Sequence, residues 1–384
     1  MKLTKELEYF SRSLRICGLF PCPKTDEKKR TGRHIYPIVL CIITWMNTAR
    51  ISTHLIWLPE TNMINILSSG LIILYCLVSA LLRTTYTVAN MKAGYYSKAL
   101  KKLTMNDCPM RDELEAYKSH GDSFRRFLIN LLHFYGWFYV IVHNCFIVSS
   151  GIFRRDYEVV QFILSPFTIG CDTVYYVGIG VVSICLAVTD SGIIFANTFI
   201  VVCTIELTGK FNSLIHWIKS KTIPPELQLK SGGLQTADFD INGIRLAHLY
   251  WLLRVKEYDR LYRCTMGITM MFAFYALLSS IYLMIWGDGG FLITLGYVLW
   301  AWTAFFLMFC HLFASAFLNK TTEDVAEVVY QVPTQKMFQS EQKIANFLLF
   351  INQCTSEPIS LTFFDLFHLR NQAVMAVCFF DFYF

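Results

Sequence analysis

Residues 157–203, YEVVQFILSPFTIGCDTVYYVGIGVVSICLAVTDSGIIFANTFIVVC, decide the fold. The second half, 178–203, holds one charged residue, Asp190. A helix needs about 20 mostly apolar residues to cross the hydrocarbon of a bilayer, so 178–203 is a span. The first half is interrupted by Pro166, Gly170 and Asp172. One crossing or two in this stretch sets the side on which everything downstream lies. The Lys and Arg residues choose between them. With one crossing, the nine cations of 204–263 share a side with the nine of 1–34 and the eight of 91–126. Only Arg154 and Arg155 then lie in loops on the other side. Cytosolic loops carry the excess of Lys and Arg, so 152–177 is an extracellular loop that folds back on the bundle.

Outward from this stretch, apolar runs of spanning length occur at 35–58, 62–90, 127–151, 264–286, 290–318 and 361–384. Pro59 turns the chain between the first two, and Gly287-Asp288-Gly289 turns it between the fifth and sixth. The fold class is all-α: a seven-transmembrane helical bundle, N-terminus cytosolic and C-terminus extracellular. Composition agrees, with 54% hydrophobic and 16% charged residues against about 25% charged in a soluble domain. The start, MKLTKELEYF, has no apolar h-region. The first apolar run therefore acts as an uncleaved signal-anchor.

The segments between spans have their own pattern. In 1–34, Leu3, Leu7, Phe10 and Leu14 fall at helical spacing, stopped by Gly18 and Pro21, before a basic run. In 204–263, residues 204–219 continue the fourth span and 241–263 run into the fifth, with a Pro-, Gly- and Gln-rich flexible loop between them. Segment 319–360 holds two helical patterns, 321–332 and 338–353, around Pro333. Such cytosolic helices form an anchor region below the membrane.

Catalytic signatures are missing: there is no H-E-x-x-H, P-loop or nucleophile elbow, and the chain is read as no enzyme. The 13 cysteines show no metal-ligand spacing, and no cofactor or metal is expected. Basic residues flank spans, which suits lipid headgroups and not nucleic acid. Asp190 and Arg83 lie inside spans. Intramembrane charges mark functional sites or helix–helix hydrogen bonds, with snorkelling as a further option for Arg83. Aromatic and polar side chains near span ends form either an interfacial belt or the lining of a ligand pocket. The pocket candidates are Tyr139, His143, Asn144, Tyr282, Trp286 and Tyr297; Trp300 and Trp302 stand near them. In 361–384, Leu361, Asp365, His368, Gln372, Met375, Phe379 and Tyr383 share one helical stripe. That stripe lines a shared pore, or is buried against neighbouring helices. Asn319-Lys-Thr321 is a glycosylation sequon, cytosolic in this topology and unused.

Three segments resemble arthropod gustatory receptors, of the insect chemoreceptor superfamily. They are Ser13-Leu-Arg-Ile-Cys-Gly-Leu-Phe-Pro21; Leu246-Ala-His-Leu-Tyr-Trp-Leu-Leu253 with Asp259-Arg-Leu-Tyr262; and Ile359-Ser-Leu-Thr-Phe-Phe-Asp-Leu-Phe-His-Leu-Arg-Asn371. The family's F-x-L-N-R falls on Phe367, Leu369, Arg370 and Asn371, with the last two in reversed order. The last span also stops near where the family continues into T-Y, so the outer end of the pore helix is shortened. The resemblance implies a chemosensory, ligand-gated, non-selective cation channel at the plasma membrane of chemosensory neurons. A small-molecule tastant binds within spans 1–4 (35–203). Spans 5–6 occupy 264–318. The last span (361–384) lines the pore of a homo- or heterotetramer, with Asp365, His368, Gln372, Met375, Phe379 and Tyr383 as pore-lining candidates. The alternatives are an odorant receptor of the same superfamily, a seven-transmembrane G-protein-coupled receptor with inverted topology, and a transporter.

Overall fold

The computed structural model describes residues 5–20, 32–55, 63–93, 108–116, 122–153, 155, 158–169, 171–222, 240–287, 290–332, 341–356, 361–363 and 367–368. Among them the helices are α1 (Lys5–Ile16), α2 (Gly32–Leu55), α3 (Met63–Ala93), α4 (Arg111–Ala116), α5 (Asp122–Phe153) and α6 (Glu158–Leu164). There follow α7 (Asp172–Thr222), α8 (Ile241–Trp286), α9 (Gly290–Tyr330) and α10 (Glu341–Ser356). Six of these, α2, α3, α5, α7, α8 and α9, are long and apolar enough to cross a membrane. The chain divides into two compact units. One comprises Met1–Lys98, Ile129–Ile200 and Thr265–Cys310; the other comprises Ala99–Leu128, Val201–Cys264 and His311–Phe384.

The first unit buries polar groups within its apolar core and turns further apolar side chains outward. On α5, Leu131, Phe134, Phe138 and Ile141 are all exposed, three or four residues apart and so along one helix face. An apolar stripe of this length is untenable against water but matches lipid tails. Thr44, Asn47, Ser79, Arg83 and Asp190 are buried instead. No water reaches such groups in hydrocarbon, so each must bond within the protein. Arg83 does so through backbone carbonyls. It donates to Cys17 O and Val188 O, and to Ser191 Oγ at 3.3 Å. It does not snorkel, being fully buried.

Those bonds seat the N-terminal segment. α1 ends because Gly18 takes a left-handed conformation (φ 69°), which glycine adopts without Cβ strain. Leu19 and Phe20 amides then bond back to Leu14 O at 2.8 and 3.1 Å. The apolar face of α1, with Leu7, Phe10 and Leu14, is buried. The Phe10 ring lies 6.2 Å from that of Phe195 and stacks with Phe199 at 6.4 Å. Ser13 Oγ receives the Trp137 indole N–H at 3.0 Å and meets His133 Nε2 at 2.7 Å. Asn90 donates to Leu19 O at 2.9 Å.

In the second unit, Arg125 donates to Glu206 at 2.5 Å, both side chains being almost wholly buried. Trp217 Nε1 donates to Glu113 at 3.1 Å. His248 is fully buried between Phe211 and Phe350, with Gln353 Nε2 at 2.9 Å from its Nδ1. Residues 321–330 belong to α9, so the pattern at 321–332 continues the sixth span and is not a separate helix. Asn319 of the sequon is buried in that helix and donates to Glu323 at 2.9 Å, an environment closed to a glycan.

The start of the expected seventh span needs correction. Thr362–Phe363 and Phe367–His368 are not helical; they form an antiparallel strand pair, Thr362 opposite His368 and Phe363 opposite Phe367. Threonine and phenylalanine favour the pleated backbone. Asp259 fixes Thr362 from α8, accepting its backbone N–H at 2.7 Å and its hydroxyl at 2.8 Å. Side chains alternate along a strand, so Leu361 and His368 do not share a helical stripe. The motif residue Phe367 lies in the second strand. Asp365, Leu369, Arg370, Asn371, Gln372, Met375, Phe379 and Tyr383 lie outside the described residues.

Burial pushes the His248 imidazole down to about 4. The folded chain then refuses a proton that the unfolded chain accepts below about pH 6.5. Stability is therefore full above pH 6.5 and falls as the pH drops toward 4, by about 3 kcal/mol in all. Thermal unfolding of the purified chain between pH 7.5 and 5 should show this loss, and His248→Phe should flatten the slope.

Candidate functional site

Asp190 of α7 is fully buried in the first unit. Three donors converge on its carboxylate. Tyr75 Oη of α3 donates to Oδ1 at 2.6 Å; His143 Nδ1 and Asn144 Nδ2 of α5 donate to Oδ2 at 2.8 and 3.4 Å. The indole N–H of Trp300, on α9, donates to His143 Nε2 at 3.0 Å. An indole nitrogen can only donate, so Nε2 is the acceptor and Nδ1 carries the proton given to Asp190. One carboxylate thus joins four helices through a chain of bonds with a fixed direction. Ring contacts tighten the cluster: Tyr139 stacks on His143 at 5.4 Å and Trp300 lies 5.2 Å from Tyr75.

A cavity of about 60 Å³ opens beside this cluster, and His143 and Trp300 form part of its wall. Ser68, Leu71 and Ile72 line it from α3. His143, Phe146, Ile147 and Ser150 line it from α5, and Ile293, Gly296, Tyr297 and Trp300 from α9. Both sets of four repeat the spacing i, i+3, i+4, i+7, so each helix turns one face to the cavity. A Cβ at Gly296 would stand 2.7 Å from the Phe146 ring, so a larger residue there makes that ring shift. Val160, Ile163 and Leu164 of α6 complete the wall. Arg50 of α2 holds α6 in place, donating to Ile163 O at 2.8 Å and to Ser165 O, and to Asn47 Oδ1 at 2.9 Å. Where α7 begins, Arg155 bonds Asp172 at 2.6 Å and lies over the Tyr175 ring, whose hydroxyl donates to Gly151 O at 2.6 Å.

Of the six pocket candidates, His143 and Tyr297 line the cavity. Tyr139 and Asn144 stand behind it, on His143 and Asp190. Tyr282 and Trp286 are exposed near the end of α8, as interfacial aromatics are. Sequence reasoning missed Ser68, Phe146, Ser150, Gly296 and the α6 residues, and left Trp300 open between belt and pocket. The i, i+3, i+4, i+7 register through His143 and Tyr297 was the signal that finds Phe146, Ser150, Gly296 and Trp300. Among the described residues, no group of three His, Cys, Asp or Glu is placed to hold a metal ion.

Solved structures share the fold. The chain matches the insect olfactory receptor OR5 from Machilis hrabei in complex with eugenol at a TM-score of 0.79 and 13% identity, over 98% of this chain and 96% of that one. This chain has the insect olfactory receptor fold. A second OR5 structure matches at a TM-score of 0.70 and 14% identity, with the same coverage. No family model matches the sequence, and no curated protein matches it. The sequence pointed toward this fold through span order, charge bias and short segments resembling arthropod gustatory receptors.

Replacing Asp190 by alanine leaves buried donors on Tyr75 and His143 unmet. Asp190→Ala is expected to cost about 2–5 kcal/mol, at about 1–3 kcal/mol for each buried donor left unbonded, against about 1 kcal/mol for Tyr75→Phe, which removes one bond. Unfolding midpoints of the two variants in detergent check this order.

Proposed function

We propose that this chain is a subunit of a chemosensory, ligand-gated, non-selective cation channel opened by a small-molecule tastant. The observation that carries the reading is a mostly apolar cavity whose wall includes two members of the Asp190 network, in a chain that shares the OR5 fold nearly end to end. A ligand entering there meets His143 and Trp300 first. Displacing either disturbs the bonds that hold α3, α5, α7 and α9 together. Binding at the cavity thereby favours one helix arrangement over another, and a ligand opens the channel by binding the open arrangement more tightly. Moving a closed:open ratio from 99:1 to 1:99 needs roughly a 10⁴-fold difference in affinity.

The rest of the reading follows the charge pattern and the gustatory-receptor resemblance. The N-terminus is cytosolic and the C-terminus extracellular at the plasma membrane of chemosensory neurons. Seven crossings include the last one, expected over 361–384; its start is the strand pair, and the 16 residues of 369–384 reach about 24 Å as a helix at about 1.5 Å each, so this span lines the pore in a locally thinned bilayer. Four subunits, identical or mixed, surround it, and the cytosolic helical segments anchor them. A second reading, an odorant receptor, is favoured by the match to an olfactory receptor in complex with eugenol. The two differ in whether water-borne or volatile compounds open the channel.

Whole-cell recording of cells expressing the chain, alone and with partner subunits, tests the proposal. Cation current is expected with some members of a panel of tastants and volatiles. Gly296→Leu fills the cavity and should abolish that current at unchanged surface expression. Surface-expressed protein silent to the whole panel, or currents indifferent to Gly296→Leu, would contradict it.

A further inference from the structure

Two bonds fix where the protons of His143 sit. Its Nδ1–H is given to Asp190 Oδ2 at 2.8 Å, and its Nε2 receives the Trp300 indole N–H at 3.0 Å. The two partners differ in what they tolerate. A carboxylate accepts from a neutral or a cationic imidazole. An indole nitrogen only donates. A proton on Nε2 therefore sets two N–H groups against each other, and the bond between α5 and α9 is lost. A hydroxyl in the place of the indole would turn and accept; Trp300 has no such alternative. The other basic atoms of the cluster are already covered, Oδ1 of Asp190 by Tyr75 and Oδ2 by His143 and Asn144.

The surroundings suit a cation at this position. Asp190 is buried, and among the described residues its ion-pair partner is His143. With a neutral imidazole the pair carries a net negative charge inside the membrane, which is costly; a proton on Nε2 cancels that charge. Tyr139 stacks on the imidazole at 5.4 Å with 25° between the planes, the face-on approach by which an aromatic ring attracts a cation. Tyr75 and Trp300 face the imidazole from α3 and α9, and Cys76 of α3 lies within the field of Asp190. Arg50, on α2, is engaged by carbonyls of α6, and the α6 residues on the cavity wall are Val160, Ile163 and Leu164. The cavity that His143 lines, about 60 Å³, has room for water, the carrier a proton needs. Histidine changes charge between about pH 5 and 8. We propose that His143 is a proton-binding site at which acid releases Trp300. Acid thereby acts in the same sense as a ligand that displaces Trp300; this effect on opening rests on the channel reading, and the proton site does not.

The purified full chain in lipid nanodiscs, with ¹⁵N-labelled histidine, is titrated by NMR from about pH 8 to 5. The His143 signal is the one absent from His143→Gln, and the one moved by Trp300→Phe where His143→Gln does not fold. One ring nitrogen is expected to carry a proton at the upper pH and both at the lower. In Trp300→Phe no bond is lost on protonation, so the proton affinity should rise about five-fold, the worth of one neutral hydrogen bond. An imidazole unchanged across the titration, or a proton affinity unmoved or lowered in Trp300→Phe, would overturn the proposal. In expressing cells the same pH step in the bath should raise cation current above its resting level, and His143→Gln should remove the rise. Protonation with the five-fold change but without current supports the proton site and counts against the channel. Current that rises equally in His143→Gln, with the His143 signal indifferent to pH, removes the proton site.

Discussion

A carboxylate buried among membrane-length helices must have its donors supplied by the protein, and the first unit is arranged to supply them to Asp190. No single helix can. The hydroxyl comes from α3, the imidazole and amide from α5, and the indole that sets the imidazole's proton from α9. Helices that would otherwise pack through small and apolar residues acquire a fixed rotation, since turning α3 or α5 removes a donor from Asp190 and turning α9 removes the donor to His143. The same rotation turns the faces of α5 and α9 toward the cavity. Helix rotation and the cavity wall are thus set by one constraint.

The buried Arg83 and the half-buried Arg50 of this unit obey the related rule that a cation without a carboxylate turns to backbone carbonyls. Arg83 binds those of Cys17 and Val188, which fastens the segment after α1 to α3 and α7. Arg50 binds those of Ile163 and Ser165, which fastens α6 where it walls the cavity. Neither interaction is a surface ion pair sensitive to salt. Both tie an otherwise peripheral segment to a spanning helix. The second unit uses paired charges, Arg125 with Glu206, and a clamp from Asp259 onto Thr362. That clamp holds the chain in extended form immediately before the residues expected to line a pore.

Span positions were legible because length and apolarity act locally: α5, α7, α8 and α9 each contain the stretch read as a span. Continuity of α7 and α8 beyond their apolar parts was legible too, from helical spacing in 204–219 and 241–263. The strand pair at 362–368 was not. The apolar spacing of Leu361, Asp365 and His368 fits a helix, and what overrides it is a long-range bond from Asp259, 103 residues away. Within the site, His143 and Asp190 stood out as polar groups in apolar runs. Their partnership, and the place of Ser150 and Gly296 in the cavity wall, come from the rotation of one helix against another. A serine or glycine in a span looks like ordinary close packing until its neighbour, here Phe146, is known.

The central claim is that the cavity acts on the helices through Asp190. Asp190→Asn keeps the shape of that side chain but replaces one acceptor oxygen by a donor, facing groups that themselves donate. The measurement is ligand binding and ligand-evoked current side by side in this variant, at matched surface expression. The account predicts binding within a few-fold of the parent with current largely lost. Unaltered current at unaltered binding would contradict it.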